Sequence, residues 1–186
     1  MDDLASALYI ESMKFTLLLL LLSINSLALE APLLSSTLLD GKKVSSLNLK
    51  NRKSVIFFLS ASCPCTKKSV PYLQTLSKQY PEFQFLGVHS NSNESFEDAK
   101  KEFGNLNFPI AYDADMKIAD QFKATKTPHV FVLDAKNEIL FHGGVTNSVD
   151  PARAKRFYLK NALEDISKRR DVQLKFAKAL GCYIVR

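Results

Sequence analysis

Apolar and polar positions follow two rhythms along this chain. Residues 54–59 (SVIFFL) form an unbroken apolar run, the pattern of a strand buried on both faces. In 64–80 the apolar positions Val70, Leu73, Leu76 and Tyr80 stand three and four apart, which predicts a helix with one buried side. Residues 83–88 (FQFLGV) read as the next strand. A short helix is predicted over 95–103: Ser95 and Asp98 make a capping box, Phe96, Ala99 and Phe103 its stripe, and Gly104 its stop. Upstream, 38–44 (LLDGKKV) sets Asp40-Gly41 between short apolar stretches and predicts a hairpin. Downstream, 107–112 reads as a short inserted strand and 117–122 as one or two helical turns. Residues 130–133 and 139–142 read as a second hairpin across Ala135-Lys136-Asn137. A last helix is expected to start with Asp150 as cap and Pro151 at its first position. Leu159, Leu163 and Ile166 line its buried face, and Lys168-Arg169-Arg170 closes it favourably for the helix dipole. Residues 169–186 read as a tail carrying Cys182.

Alternation of this kind implies an α/β fold, with a mainly parallel sheet flanked by helices and a terminal antiparallel hairpin. No internal repeat is visible. A leucine run near the start changes the meaning of the 186-residue length. Residues 15–22 (FTLLLLLL) follow Met13-Lys14 and precede Ser26-Leu27-Ala28, a small-x-small exit. This is the pattern of a secretory signal peptide. The run is shorter than the roughly 20 apolar residues that span a bilayer. Residues 1–12 carry Asp2, Asp3 and Glu11 and no basic residue, so translation is expected to start at Met13. The expected layout is a signal peptide over 1–28, one domain over 29–168 and the tail over 169–186. Export follows, to the periplasm in a Gram-negative bacterium and otherwise to the medium, with no membrane segment after cleavage.

Composition then narrows the class. Hydrophobic residues make up 46% of the chain, enough for a packed core, which excludes a disordered chain. Removing Lys14 and the three acidic residues of the leader from 25 basic and 19 acidic leaves 24 against 16, a net charge of +8. The basic residues are scattered, so the charge speaks of solubility and not of nucleic acid.

Three cysteines is an odd number for an exported chain. Cys63 stands where the first buried strand ends and the long helix begins, in Ser60-Ala61-Ser62-Cys63-Pro64-Cys65-Thr66. Chemistry in open α/β sheets collects at the carboxyl ends of strands. A sulfur at a helix N-terminus faces unpaired N–H groups and the positive end of the dipole, which favour thiolate. Lys67 and Lys68 add positive charge, and Pro64 costs nothing at the first helical position. A Cys63–Cys65 bridge would close a very small, strained loop, so redox chemistry is favoured over a structural disulfide. Cys182 is either a lone thiol or a partner that folds back on Cys63 or Cys65. Thr127-Pro128-His129 precedes the strand at 130 and forms a candidate functional turn. The strand 54–59 carries no carboxylate to serve as a general base.

Strand, cysteine at a helix start, long helix, strand, helix, Thr-Pro, hairpin and helix together resemble the thioredoxin-like fold. Pro71, eight residues after Cys63, matches the kink proline of that fold and aligns Cys63 with its nucleophile. The chain is similar to exported redoxin-domain proteins of the alkyl hydroperoxide reductase/thiol-specific antioxidant group. The shared features are the Cys-Pro-x-Thr start, the strand end at 87–91, the Thr-Pro-x-Val-Phe-Val-Leu-Asp block at 127–134 and the Gly-Cys-x-Ile at 181–184. The resemblance implies a cis-proline at Pro128, a substrate held in extended form against Thr127 and Pro128, and thiol–disulfide exchange started by Cys63. It implies a protein or small-molecule disulfide as substrate, a thiol reductant as partner and no cofactor.

The departures shape the alternatives. There is no tryptophan, and Thr66 occupies the position of the usual second cysteine, which leaves Cys65 and Cys182 for the resolving role. A peroxiredoxin-like thiol peroxidase is the second reading, with Ser60, Cys63 and Pro64 matching part of that motif and Ser60 hydrogen-bonding a peroxide or the thiolate. Ile56 stands where that motif has proline. A copper-binding module of the same fold is the third, with Cys63, Cys65 and His129 as ligands and His142 as another candidate, since soft thiolates suit Cu(I).

Overall fold

The computed structural model describes residues 35–45 and 51–186, so the expected leader lies outside the described residues. Strand β3 (Lys53–Leu59) is the axis of the molecule. It pairs in parallel with β4 (Phe83–His89) on one side and antiparallel with β7 (His129–Leu133) on the other. Outward from β4 come β5 (Ile110–Tyr112), β1 (Ser35–Leu38) and β2 (Lys43–Ser45). Outward from β7 come β8 (Ile139–Gly143) and β9 (Phe176–Ala177), which completes an eight-stranded mixed sheet. A separate two-stranded ladder joins β6 (Lys126–Thr127) to β10 (Cys182–Tyr183).

Alternation along β3 explains its continuous apolar run. Val55, Phe57 and Leu59 enter one core layer, and Ile56 and Phe58 enter the other. The first layer takes the apolar stripes of α1 (Pro64–Gln79), α2 (Phe96–Phe103) and α4 (Tyr158–Ser167), through Leu73 and Leu76, Ala99 and Phe103, and Leu159 and Leu163. On the second layer lies α3 (Lys117–Gln121), with Met116, Ile118 and Phe122 packed on Phe58 and Phe131. Each fully buried Phe or Leu contributes about 1.5–3 kcal/mol, so this double-sided strand is firmly held in both layers. It ends beside Cys63. The hairpin, the capping box at Ser95 and Asp98 and the inserted strand form as their sequences predict.

Three expectations are corrected. The sheet is mixed and not mainly parallel: four of its seven pairings among the described residues are antiparallel, two of them, β1–β2 and β7–β8, because tight hairpin turns reverse the chain. Asp150 does not open the last helix: it caps a single 3-10 turn, Pro151–Arg153, and α4 begins at Tyr158. The Asn147 side-chain oxygen accepts hydrogen bonds from the backbone N–H of Lys155 and of Arg156, which leaves the chain extended between the two helical pieces. Residues 169–186 are more than a tail. They dock as β9, parallel to β8, and as β10, antiparallel to β6. Gly143 makes the first docking feasible: at φ +140° any side chain would collide with the Ala177 carbonyl. Both strands are two residues long, too short to show a periodicity of 2 in the sequence.

Candidate active site

After Leu59 the chain turns through Ser60, Ala61 and Ser62 and enters α1 with Cys63 as the residue flanking its N-terminus. Pro64 fills the first helical position, and the first turn holds no acidic residue. The Cys63 sulfur is 2.7 Å from the Cys182 sulfur and 3.1 Å from the Thr127 carbonyl oxygen. The Thr127–Pro128 peptide bond is cis. Cys65 completes a trio whose three sulfurs lie within 4.8 Å of one another.

Electrostatics separates the three thiols. Burial opposes ionisation of Cys63. The polar groups around the sulfur, first the Cys182 thiol and then those of Thr127 and the N–H groups of Thr66 and Cys182, outweigh it and lower the thiol to about 7. Cys182 is pushed up to about 12, first by burial and then by its hydrogen bond to Cys63 and the charge there. Cys65 is also raised, by burial and by Cys63. Cys63 is therefore the thiol that ionises first, about half of it by pH 7, beside two that stay protonated. Lys67 and Lys68 contribute less than their position suggests, because each is paired with a carboxylate, Glu102 at 3.4 Å and Asp150 at 3.6 Å.

Behind the sulfur stands a carboxylate that reading β3 alone misses. Glu94, buried after β4, accepts hydrogen bonds from the Ser60 hydroxyl (2.6 Å), the Ala61 N–H (2.7 Å), the Ser62 N–H (2.9 Å), the Ser62 hydroxyl and the Asn91 amide (2.9 Å). His89 Nε2 lies 2.7 Å from the oxygen that Ala61 also contacts. Burial opposes this charge, but the donors hold the carboxyl well below the usual carboxylate range. Glu94 therefore fixes the three residues that lead into Cys63. Its position directly before the Ser95 cap gave it the look of an ordinary exposed loop acid. The one available signal was its place at the carboxyl end of a buried strand.

Three sequence candidates change character. The Ser60 hydroxyl donates to Glu94 and not to the Cys63 sulfur. His129 is not part of the sulfur trio; its ring packs on Phe131 at 4.7 Å and lies 6.2 Å from His142. Burial, with His142 adding to it, lowers His129 to about 4 and keeps the ring neutral. Cys182 takes the third place instead. Cys63, Cys65 and Cys182 are the thiols that could converge on one soft metal ion, and Cys63 and Cys182, at 2.7 Å, are a sulfur pair in direct contact.

The segment carrying Cys182 is anchored on both sides. Ile184 is buried in the second core layer and its N–H bonds the Thr125 carbonyl (3.1 Å). The Val185 N–H donates to the Asn91 side chain (2.7 Å), the Ser92 N–H donates to the Val185 carbonyl (2.9 Å), and Arg186 pairs with Asp120 (2.7 Å). Asn91 thereby links the support of Cys63 to the support of Cys182.

Among known proteins, thiol-disulfide oxidoreductase ResA of Bacillus anthracis is 30% identical over 116 residues, 60% of this chain and 65% of that protein. The match thus spans just under two thirds of this relative. An uncharacterized conserved protein from Geobacillus kaustophilus superposes with a TM-score of 0.76 at 25% identity, covering 88% of this chain and 94% of that one. A secreted Mycobacterium tuberculosis disulfide oxidoreductase homologous to E. coli DsbE shares the fold, with a TM-score of 0.55 at 20% identity, covering 73% and 92%. The Redoxin family model matches residues 27–163, which include β3, Cys63, Glu94 and the Thr127–Pro128 turn. With a mixed sheet flanked by helices and a cysteine at the start of the helix after its central strand, the chain belongs to the Redoxin family of thioredoxin-like proteins.

Proposed function

We propose that this chain is a thiol-disulfide oxidoreductase in which Cys63 attacks and Cys182 resolves. The observation that carries the reading is the asymmetric sulfur pair at 2.7 Å, one thiol lowered to about 7 and its neighbour raised. The name of the ResA relative supports it. The Cys63 thiolate attacks one sulfur of a substrate disulfide. That S–S bond breaks, a mixed disulfide forms, and the other half leaves as a thiolate that takes a proton from water. Cys182, once deprotonated, attacks the Cys63 sulfur, forms Cys63–Cys182 and releases the reduced substrate. A thiol reductant then restores the two thiols. Cys65 lies beside this exchange as a spare thiol, and Thr127 and Pro128 frame it. Export is part of the proposal and rests on the leader-like sequence at 13–28.

Insulin reduction with three serine variants tests the scheme. Cys63→Ser is expected to fall to background. Cys182→Ser is expected to stop after one half-reaction and accumulate a mixed disulfide on Cys63. Cys65→Ser is expected to keep most of the rate. Full activity in Cys63→Ser would end the proposal. Hydrogen peroxide serves as the control substrate: a Cys63 oxidation rate no faster than that of free cysteine removes the peroxidase alternative.

A further inference from the structure

Strand β10 covers the sheet edge beside Cys63. Its backbone pairs antiparallel with β6, Cys182 opposite Thr127 and Tyr183 opposite Lys126. An extended segment that adds to a sheet edge gains affinity from main-chain hydrogen bonds and specificity from its side chains. This one sets a sulfur on Cys63, which is 2% exposed with Cys182 beside it. Each position around that sulfur has a defined environment. Before it, Gly181 sits at φ +151°, where a side chain would collide with the Thr127 carbonyl. After it, the Tyr183 ring lies over the Lys126 ammonium at 3.4 Å while 73% exposed. The Lys126 ammonium also donates to the Gly181 carbonyl (3.3 Å). One residue further, Ile184 is buried against the second core layer.

We propose that the β6 edge is a receptor for an extended, cysteine-bearing polypeptide with glycine before the cysteine and an aromatic residue after it, and that residues 181–184 are its built-in occupant. The proposal rests on the thiol–disulfide reading above and names the substrate class of the same site: polypeptide disulfides with a Gly-Cys-aromatic-aliphatic strand. Substrate and β10 cannot occupy the edge together. The polypeptide first displaces β10, and the Cys63 thiolate then attacks its disulfide, whose other half leaves as a thiolate protonated by water. The return of β10 pushes the bound strand off and brings Cys182 onto the mixed disulfide. Bond exchange at Cys63 forms Cys63–Cys182 and releases the peptide thiol, so the resolving step is itself a strand replacement. An external dithiol reductant resets the pair.

The test uses the full chain carrying Cys182→Ser, which stops at the mixed disulfide. Disulfide-linked dimers of three peptides, Gly-Cys-Tyr-Ile, Leu-Cys-Tyr-Ile and Gly-Cys-Ser-Ile, are offered together with oxidised glutathione, and adducts on Cys63 are timed by mass spectrometry. The first peptide is expected to react about tenfold faster than the leucine peptide, whose side chain meets the Thr127 carbonyl. It is expected to react about threefold faster than the serine peptide, which lacks the ring over Lys126. Equal rates for all three overturn the proposal while leaving thiol–disulfide exchange intact. No adduct from any peptide or from glutathione overturns the exchange reading instead. Adding Gly181→Ala to the Cys182→Ser chain dislodges β10 and is expected to raise the Gly-Cys-Tyr-Ile rate several-fold. Tyr183→Ser replaces it if the alanine variant fails to fold. An unchanged rate in the folded variant shows that β10 does not compete for the edge and overturns the proposal.

Discussion

The two strands that bring sulfur to this site are built on opposite plans. β3 is seven residues long, paired on both sides, and its Ser54–Leu59 stretch is fully buried. β10 is two residues long, paired among the described residues with β6 alone, and Tyr183 within it is 73% exposed. The first fixes where Cys63 stands; the second delivers Cys182 to it. Opening β10 breaks a two-residue ladder, whereas opening β3 dismantles both core layers. The exchange proposed above would benefit from that contrast, because a nucleophile is useful only if held and a resolving sulfur only if it can leave for the substrate and return.

The contrast breaks if both strands respond alike to truncation. Phe57→Ala removes a ring with no exposed surface that packs edge-on against Phe108 at 5.0 Å. It is expected to cost about 3–5 kcal/mol of unfolding free energy. Ile184→Ala also empties a buried position, but its segment can open without unfolding the sheet, so the global loss is expected to stay below about 1 kcal/mol. Urea titration of both variants gives the comparison, and equal losses would remove it.

The same contrast decides what was legible in the sequence. β3 declares itself because a strand buried on both faces must be apolar at every position, and α1 because its stripe, Val70 to Tyr80, spans about three turns. Cys63 follows, since its place between them is a matter of chain order. Cys182 was visible as one of two candidate partners, a lone thiol or a fold-back onto Cys63 or Cys65, but its seat was not: 119 residues separate it from Cys63, and its strand is too short for a pattern. Glu94 is a similar case. Its burial arises from five donors on Ser60, Ala61, Ser62 and Asn91, three-dimensional company that a loop carboxylate does not announce. The start of α4 was misplaced because Asp150-Pro151 is a sound start signal for a helix of any length. The decision to stop after one turn lies with Asn147, which captures two N–H groups further on.

Glu94 sharpens the comparison from the side of β3. Glu94→Gln keeps the shape but turns one acceptor oxygen into an NH2 facing hydroxyl and amide donors. The expected cost is about 1–3 kcal/mol, the range for buried polar groups left without partners. The pH dependence carries a sign. The carboxyl is lowered in the folded state relative to its ordinary 4.5. Its stabilisation is therefore complete above about 4.5 and is lost as the pH falls toward the lower folded value. Stability of the parent chain should decline with acid through that window, and the Gln variant should decline less steeply. Parallel acid curves for the two proteins would mean that Glu94 carries no such load.

The smallest expected effect tests the delivery of Cys182 most directly. The rate of Cys63 alkylation by iodoacetamide follows the thiolate, so in the parent chain it should rise with pH through a midpoint of about 7. Burial raises that midpoint and the Cys182 thiol is the first of the groups that lower it. Cys182→Ala deletes the donor, and Cys182→Ser replaces it with a hydroxyl that can still donate. The alanine variant should therefore titrate higher, toward the ordinary thiol value of 9.0, with the serine variant between it and the parent. A donor on a strand that is seated most of the time predicts this order. Identical midpoints in all three proteins would mean that β10 spends most of its time away from β6, and the short strand would then be a visitor to the site and not its resting occupant.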